Sequence, residues 1–311
     1  MLAFTFPGQG SQRSGMGQAW TAHPSWEVVE SVSDVVGRDL GALLCDAPMD
    51  ELTRTANAQL ATFTLSLVVL DAVRRLGLSP DVCAGHSLGE YTALVAAGVL
   101  TTAHGAALVV ERGDAMQEAA DARDGTMAAL MGIADDDAED ACRQAATEVW
   151  VANYNAPGQV VIAGTPAGIE AATGPARELG ARKVLPLPVS GAFHTPLMEP
   201  ARERLEARLS TVAFAAPTVP VVANVDGEIH SDGGEWPGLL AAQLCSPVRW
   251  RHGLATLADR GVDMALELGP GGVLTGMVRR AEPTIRGVSV ASPDDLDDLP
   301  AQVAGPDEET P

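Results

Sequence analysis

A serine between two glycines, where an apolar run gives way to a helix, constrains this chain more than any other feature. Asp81–His86 is predicted to be a short strand and Leu88–Leu100 a helix, and Gly85-His86-Ser87-Leu88-Gly89 stands where they meet. A strand that becomes a helix over so few residues must turn sharply. Small residues on either side of Ser87 let that turn close and leave the hydroxyl exposed, the G-x-S-x-G arrangement of a nucleophile elbow. The pattern is short enough to occur by chance, so its weight comes from the strand before it and the helix after it.

The flanking sequence extends the same rhythm. Leu2–Phe6 reads as a buried strand running into the glycine-rich turn Pro7-Gly8-Gln9-Gly10. Gln59–Leu76 and Ala103–Ala120 read as helices, the first stopped by Gly77 and Pro80. Later, Thr218–Val225, Asp263–Leu268 and Gly287–Ala291 are predicted strands, with helices at Gly238–Leu244 and Val273–Arg280. Strands alternating with helices indicate an α/β domain with a mainly parallel sheet. The stretch between the two halves differs. Strands at Thr126–Gly132, Val149–Asn153, Gln159–Gly164 and Arg182–Val189 enclose helices at Asp135–Thr147 and Pro166–Gly180, the β-α-β-β-α-β order of a ferredoxin-like unit. Residues 1–123 and 191–292 are therefore expected to form the core and residues 124–190 an inserted subdomain. Residues 293–311 carry seven acidic side chains and no basic one, and are expected to be a disordered tail.

Composition narrows the function classes. The chain has 311 residues, 20 Lys and Arg against 41 Asp and Glu, and a formal charge of −21. Binding nucleic acid or an anionic lipid surface needs a basic face, so neither partner is expected. The apolar stretch around Ala61–Val73 is broken by Thr62, Thr64 and Asp71, short of a membrane span. The start, MLAFTFPGQG, lacks the pattern of a signal peptide. Cys45, Cys83, Cys142 and Cys245 are scattered without CxxC spacing, which reads as free thiols in a reducing cytoplasm. The glycine turns at Gly8 and Gly269 both miss the GxGxxG pattern, with Arg13 and Leu274 in the third place. HExxH and Walker patterns do not occur either, so no metal site is expected.

A serine nucleophile needs a base, and six histidines compete. His23 and His104 read as surface residues, His230 as a loop residue and His252 as an exposed helix position. His86 adjoins Ser87, but neighbours along a strand point to opposite faces, so a structural role beside the elbow is the better reading. His194 stands where the chain leaves the insert, in Val189-Ser190-Gly191-Ala192-Phe193-His194-Thr195-Pro196. Loops on a rigid scaffold are where catalytic groups concentrate. An oxyanion hole needs two N–H groups at the elbow mouth. Leu88 would supply one, and the Pro7–Gly10 turn the other.

Seven segments taken together resemble the malonyl-CoA:acyl carrier protein transacylases and the acyltransferase domains of polyketide synthases. They are FPGQGSQ (Phe6–Gln12), AGHSLGEYTALVAAGVL (Ala84–Leu100), ERGDAMQ (Glu111–Gln117), ANYNAPGQVVIAGT (Ala152–Thr165), VSGAFHTPLM (Val189–Met198), QLCSPVRW (Gln243–Trp250) and ELGPGGVLTGM (Glu267–Met277), in family order. The resemblance implies an α/β-hydrolase-like core interrupted by the ferredoxin-like subdomain. It implies Ser87 as acyl-accepting nucleophile, His194 as base, and the N–H groups of Gln9 and Leu88 as oxyanion hole. It implies a backbone carbonyl at Gln243 orienting the histidine and Arg112 holding the malonyl carboxylate. Asn153 and Gln159 match polar positions near the cleft.

Arginine suits that role, because a guanidinium holds a carboxylate by two parallel hydrogen bonds. An acetyl group would leave the charge unpaired, at a cost of about 3 kcal/mol or more. Without the resemblance, Arg112 would read as a surface arginine paired with Glu111 or Asp114. Ala192-Phe193-His194 resembles the malonyl-type signature, in which a bulky Phe193 excludes an α-methyl branch. Gly191 departs from the histidine common in polyketide domains and hints at a free-standing enzyme.

The expected activity is malonyl transfer from coenzyme A to the phosphopantetheine thiol of an acyl carrier protein, with an acyl-serine between two half-reactions and no bound cofactor. A monomer is expected. A carrier protein is usually acidic, as this chain is, so docking calls for a local basic patch, with Arg182/Lys183, Arg202/Arg204/Arg208, Arg249/Arg251 and Arg279/Arg280 as candidates. The competing readings are a serine hydrolase or thioesterase that clears carrier proteins, a transferase for a different acyl unit, and a non-catalytic carrier-binding module.

Overall fold

The structure, a computed structural model, describes residues 1–189 and 191–304. In chain order the strands are β1 (Leu2–Phe6), β2 (Val82–Gly85), β3 (Thr126–Met131), β4 (Val149–Ala156), β5 (Gln159–Gly164), β6 (Lys183–Pro186), β7 (Val221–Val222), β8 (Ile229–His230), β9 (Met264–Leu268) and β10 (Arg286–Val290). The helices are α1 (Glu27–Val36), α2 (Leu40–Cys45), α3 (Met49–Leu52), α4 (Thr55–Arg75), α5 (Gly89–Ala96), α6 (Thr102–Ala122), α7 (Asp135–Ala145), α8 (Pro166–Glu178), α9 (Glu199–Leu209), α10 (Trp236–Gln243), α11 (Trp250–Asp259), α12 (Val273–Ala281) and α13 (Leu299–Ala304).

The main sheet has the order β10-β9-β1-β2-β7-β8, parallel from β10 to β7, with the two-residue β8 antiparallel at the edge. This is the mainly parallel α/β core that alternating strands and helices predict. β1 and β2 are adjacent and in register, Phe6 opposite Gly85, so the Pro7–Gly10 turn and the Ser87 elbow leave the sheet side by side at its carboxyl edge. Open parallel sheets bind ligands along that edge.

A second, antiparallel sheet of order β4-β5-β3-β6 carries α7 and α8, the strand order of a ferredoxin-like unit. Its apolar residues form a cluster of their own, built on Leu130, Ile133, Val151, Val160 and Ile162. It touches the core sheet region through a bridge from Asn153 to Val248. α4 is long and apolar enough to cross a membrane, but most of it is buried in the core. Gly113 of α6 allows close approach to α4, since a Cβ there would lie 3.0 Å from Ala56 Cα. That approach brings Arg112 of α6 onto Gln59 of α4.

Three expectations need correction. The acidic tail is not disordered throughout: Ser292 and Asp295 form a capping box, and α13 follows. Leu296 and Leu299 are buried in the main core, anchoring a segment whose charge count alone suggested disorder. Residues 305–311 of that expectation lie outside the described residues. The strand expected over Thr218–Val225 shrinks to Val221–Val222, because the chain turns away to present Asn224 to the elbow. The strand expected over Arg182–Val189 is only Lys183–Pro186, and Leu187–Val189 lines the cavity described below.

Candidate active site

The elbow is built on steric necessity. A Cβ on Gly85 would lie 2.0 Å from the Gly89 carbonyl, and one on Gly89 would lie 2.0 Å from the Phe6 carbonyl oxygen. Only hydrogen fits at either position, so the turn closes against β1. Ser87 at its apex has φ of +51°. That left-handed conformation is costly for a residue with a side chain and is tolerated where surrounding contacts enforce it. Here Ser87 N–H donates to Asn224 Oδ1 at 2.6 Å, Asn224 Nδ2 donates to the Gly85 carbonyl at 2.7 Å, and Gln243 Nε2 donates to the Ser87 carbonyl at 3.0 Å.

Of the six histidines, His194 reaches the serine, with Ser87 Oγ 2.8 Å from His194 Nε2. His194 Nδ1 lies 2.8 Å from the Gln243 carbonyl oxygen. A carbonyl only accepts, so Nδ1 carries the proton and Nε2 is left to accept from the serine hydroxyl. His194 is itself left-handed, at φ of +61°. Burial pushes its pKa down to about 3, and the charge on Arg112 pushes the same way. The imidazole is therefore neutral, the state a base needs. His86 stays structural: Nε2 pairs with Asn155 Oδ1 at 2.8 Å and the ring meets Trp250 edge-on. His230 is a partner of Asp226 and Glu235, and His252 packs against Tyr154 rather than standing exposed.

Arg112 is 1% exposed and aimed at the nucleophile. Its Nη2 donates to Ser87 Oγ at 3.0 Å and to Gln243 Oε1 at 2.9 Å, and its Nη1 donates to Gln59 Oε1 at 2.6 Å. The surface-pair reading fails, since Glu111 pairs with Arg204 instead. Among the described residues no carboxylate contacts the Arg112 guanidinium directly, which leaves it as a buried cation facing a cavity. Among the described residues the Nε–H has no hydrogen-bond partner. The Gln9 and Leu88 N–H groups likewise have no acceptor among the described residues. Gln9 lines the same cavity as Ser87, and Leu88 follows Ser87 in the chain.

These groups share a cavity of about 350 Å³ bounded by Gln9, Ser87, Arg112, Asn153, Asn155, Phe193 and His194, with Met116, Met127, Val161, Leu187, Leu274 and Met277 as apolar walls. Phe193 is nearly buried, and a Cβ on Gly191 would strike its ring at 2.4 Å, so Gly191 permits the phenyl position. Gln159 does not belong here. It opens β5 beside the hairpin turn, opposite Ala156 and Met131, and Val161 two residues on reaches the wall instead. A larger groove of about 540 Å³ reaches His194 from another side, between α7, β4 and Pro247, but contains neither Ser87 nor Arg112.

Three residues escaped the sequence reading: Gln59, Asn224 and Glu90, all 3% exposed or less. Gln59 carried a signal, since a glutamine on a helix apolar all round needs a buried partner. Glu90 was inside a quoted segment. Asn224 had none, because its role depends on β7 lying beside β2.

Comparison with known proteins agrees with this geometry. Residues 3–292 match the acyl transferase domain family. A malonyl CoA-acyl carrier protein transacylase of Escherichia coli strain K12 is 42% identical, over 94% of this chain and 96% of its own. The crystal structure of an acyl carrier protein S-malonyltransferase from Vibrio cholerae superposes with a TM-score of 0.92 at 40% identity, covering 96% of this chain and 99% of that one. A malonyl-transacylase in complex with its type II PKS acyl-carrier protein superposes at 0.93 with 38% identity, covering 97% and 99%.

Proposed function

The chain belongs to the acyl transferase domain family and, within it, to the malonyl CoA-acyl carrier protein transacylases, and from that premise we propose how its own residues carry a malonyl group from coenzyme A to an acyl carrier protein. The observation that carries the proposal is Arg112, a buried cation without a carboxylate partner among the described residues, held 3.0 Å from the hydroxyl that His194 also contacts. A donor bearing a free carboxylate supplies the missing anion.

The malonyl thioester enters with its carboxylate on Arg112, which places the carbonyl carbon over Ser87 Oγ. His194 Nε2 takes the hydroxyl proton as Oγ attacks, and the imidazolium is stabilised by the Gln243 carbonyl. The tetrahedral oxyanion is held by the Gln9 and Leu88 N–H groups. Collapse breaks the carbon–sulfur bond, and the His194 proton leaves on the coenzyme A thiol. The phosphopantetheine thiol of the carrier then gives its proton to His194, attacks the acyl-serine, and the proton returns to Ser87 Oγ. Substrate binding also improves the base, because the malonyl carboxylate offsets the Arg112 charge that depresses His194. Nucleophile, base and donors all come from one chain, which supports a monomer as the working unit and asks for no resident cofactor.

Ion pairing weakens two of the four candidate basic clusters for docking, although Arg208 and Arg249 within them have no acidic partner among the described residues. Arg202 and Arg204 are held by Glu199, Glu206, Glu111 and Glu118, and Arg251 by Asp135. Arg182/Lys183 and Arg279/Arg280 are exposed without an acidic partner among the described residues. α12 contributes Val273, Leu274 and Met277 to the cavity, and Arg280 follows Val273 by seven residues and Met277 by three, on the same helix face. The transferase reading is tested by isolating the malonyl-enzyme and timing its discharge. Release by a carrier thiol far faster than by water supports transfer. Faster release by water would make the protein a hydrolase.

A further inference from the structure

Gln243 touches the base, the nucleophile and the arginine at once. Its carbonyl holds His194, its Nε2 donates to the Ser87 carbonyl, and its Oε1 accepts from Arg112. An amide can satisfy this arrangement in one orientation only. The end that sets the orientation is Glu90, on the first turn of α5 and 1% exposed. Glu90 Oε2 accepts from Gln243 Nε2 at 2.5 Å, and Glu90 Oε1 accepts from the Asn224 N–H at 2.6 Å.

We propose that Glu90 is a positioning residue for donor selectivity: by accepting at both oxygens it fixes the Gln243 amide with its oxygen on Arg112, so that a buried anion balances the guanidinium from one amide away and leaves it free for the carboxylate of the acyl donor. A carboxylate placed directly on Arg112 would occupy the same N–H groups the donor needs, whereas an amide oxygen takes one and leaves others. Burial pushes the Glu90 carboxyl up to about 8, even against the pull of its two N–H donors and the Arg112 charge. Both oxygens face donors and, among the described residues, neither has an acceptor to give a proton to, so the hydrogen bonding selects the ionised form.

Glu90→Gln has the same shape but only one accepting oxygen for two donors. Either the Asn224 N–H or the Gln243 Nε2 then faces an NH₂ group, and relief by turning the Gln243 amide puts its nitrogen against Arg112. The inference rests on the reading of Arg112 as carboxylate reader, so the experiment carries that control. Rates of acylation by malonyl-CoA and acetyl-CoA are measured by intact-protein mass for the parent, Glu90→Gln, Gln243→Met and Arg112→Ala. Gln243→Met keeps the backbone carbonyl on His194, removes only the amide, and serves if Glu90→Gln does not fold. The expected result is a malonyl-to-acetyl rate ratio at least about tenfold lower in Glu90→Gln and Gln243→Met, with the malonyl-CoA KM raised. An unchanged ratio, or an equal loss with both donors, while Arg112→Ala does lower the ratio, overturns the role of Glu90 alone. An unchanged ratio in Arg112→Ala overturns the reading of the site beneath it.

Discussion

His194 shows how one side chain takes its chemistry from its surroundings. It is 4% exposed, close to a cation, and its Nδ1 faces a carbonyl rather than a carboxylate. Burial and the cation favour the neutral ring, and together they outweigh the carbonyl, which pulls toward the imidazolium. The folded-state pKa, pushed down to about 3, lies below the usual 6.5, so the base form persists across the neutral range. The kcat/KM for malonyl loading is therefore expected to be flat from about pH 6 to 8, with no inflection near the ordinary histidine value. A stopped-flow pH profile of the loading step checks this, and a sigmoid centred near 6.5 contradicts it. The same shift has a stability consequence. Between about 3 and 6.5 the unfolded chain binds a proton that the native site refuses, so His194 makes stability rise with pH through that window.

At the scale of elements, the elbow is a contact between two strand ends and a helix start, and the glycines are its hinge pins. Gly89→Ala would drive a methyl group into the Phe6 carbonyl oxygen, 2.0 Å away. The expected loss is about 3 kcal/mol, read from a urea melt, and a variant as stable as the parent would contradict the close packing of α5 on β1. This element was legible in the sequence because glycine, serine and an apolar run are all local. So were the β-α-β-β-α-β unit and the core helices α4, α5, α6, α10 and α12, whereas α1, α9 and α11 were not predicted. The partners of the elbow were not. Asn224 follows the two-residue β7 and Gln59 lies on α4, and only the sheet order for the one and the packing of α4 on α6 for the other bring them to the elbow. Gln159, carried over from the family resemblance, opens β5 opposite Ala156 and is not among the residues lining the cavity.

For the whole molecule, charge and shape act together. A net charge of −21 would repel an acidic carrier at long range, so docking is expected to need a local basic patch, with Arg279/Arg280 on α12 the one to test first. Arg280→Glu is expected to slow transfer to the carrier by about tenfold or more at low salt, with loading from malonyl-CoA unchanged; parallel loss of both half-reactions would place docking elsewhere. The acidic end of the chain is a reminder that averages mislead. Its composition pointed to disorder, yet two leucines spaced three residues apart close over the core, and Leu299 is fully buried. Leu299→Ala is expected to cost about 2 kcal/mol or more in thermal or urea unfolding, and a neutral effect would mean that the segment contributes nothing to stability.

The central claim is that Ser87 takes the acyl group and Arg112 chooses it. Brief exposure to malonyl-CoA, methylmalonyl-CoA and acetyl-CoA, followed by intact-protein mass measurement, tests both halves at once in the parent, Ser87→Ala and Arg112→Ala proteins. The account expects a malonyl adduct on the parent, none on Ser87→Ala, and acetyl in place of malonyl on Arg112→Ala. Equal labelling of the parent by all three donors, or a malonyl adduct that survives in Ser87→Ala, would contradict it.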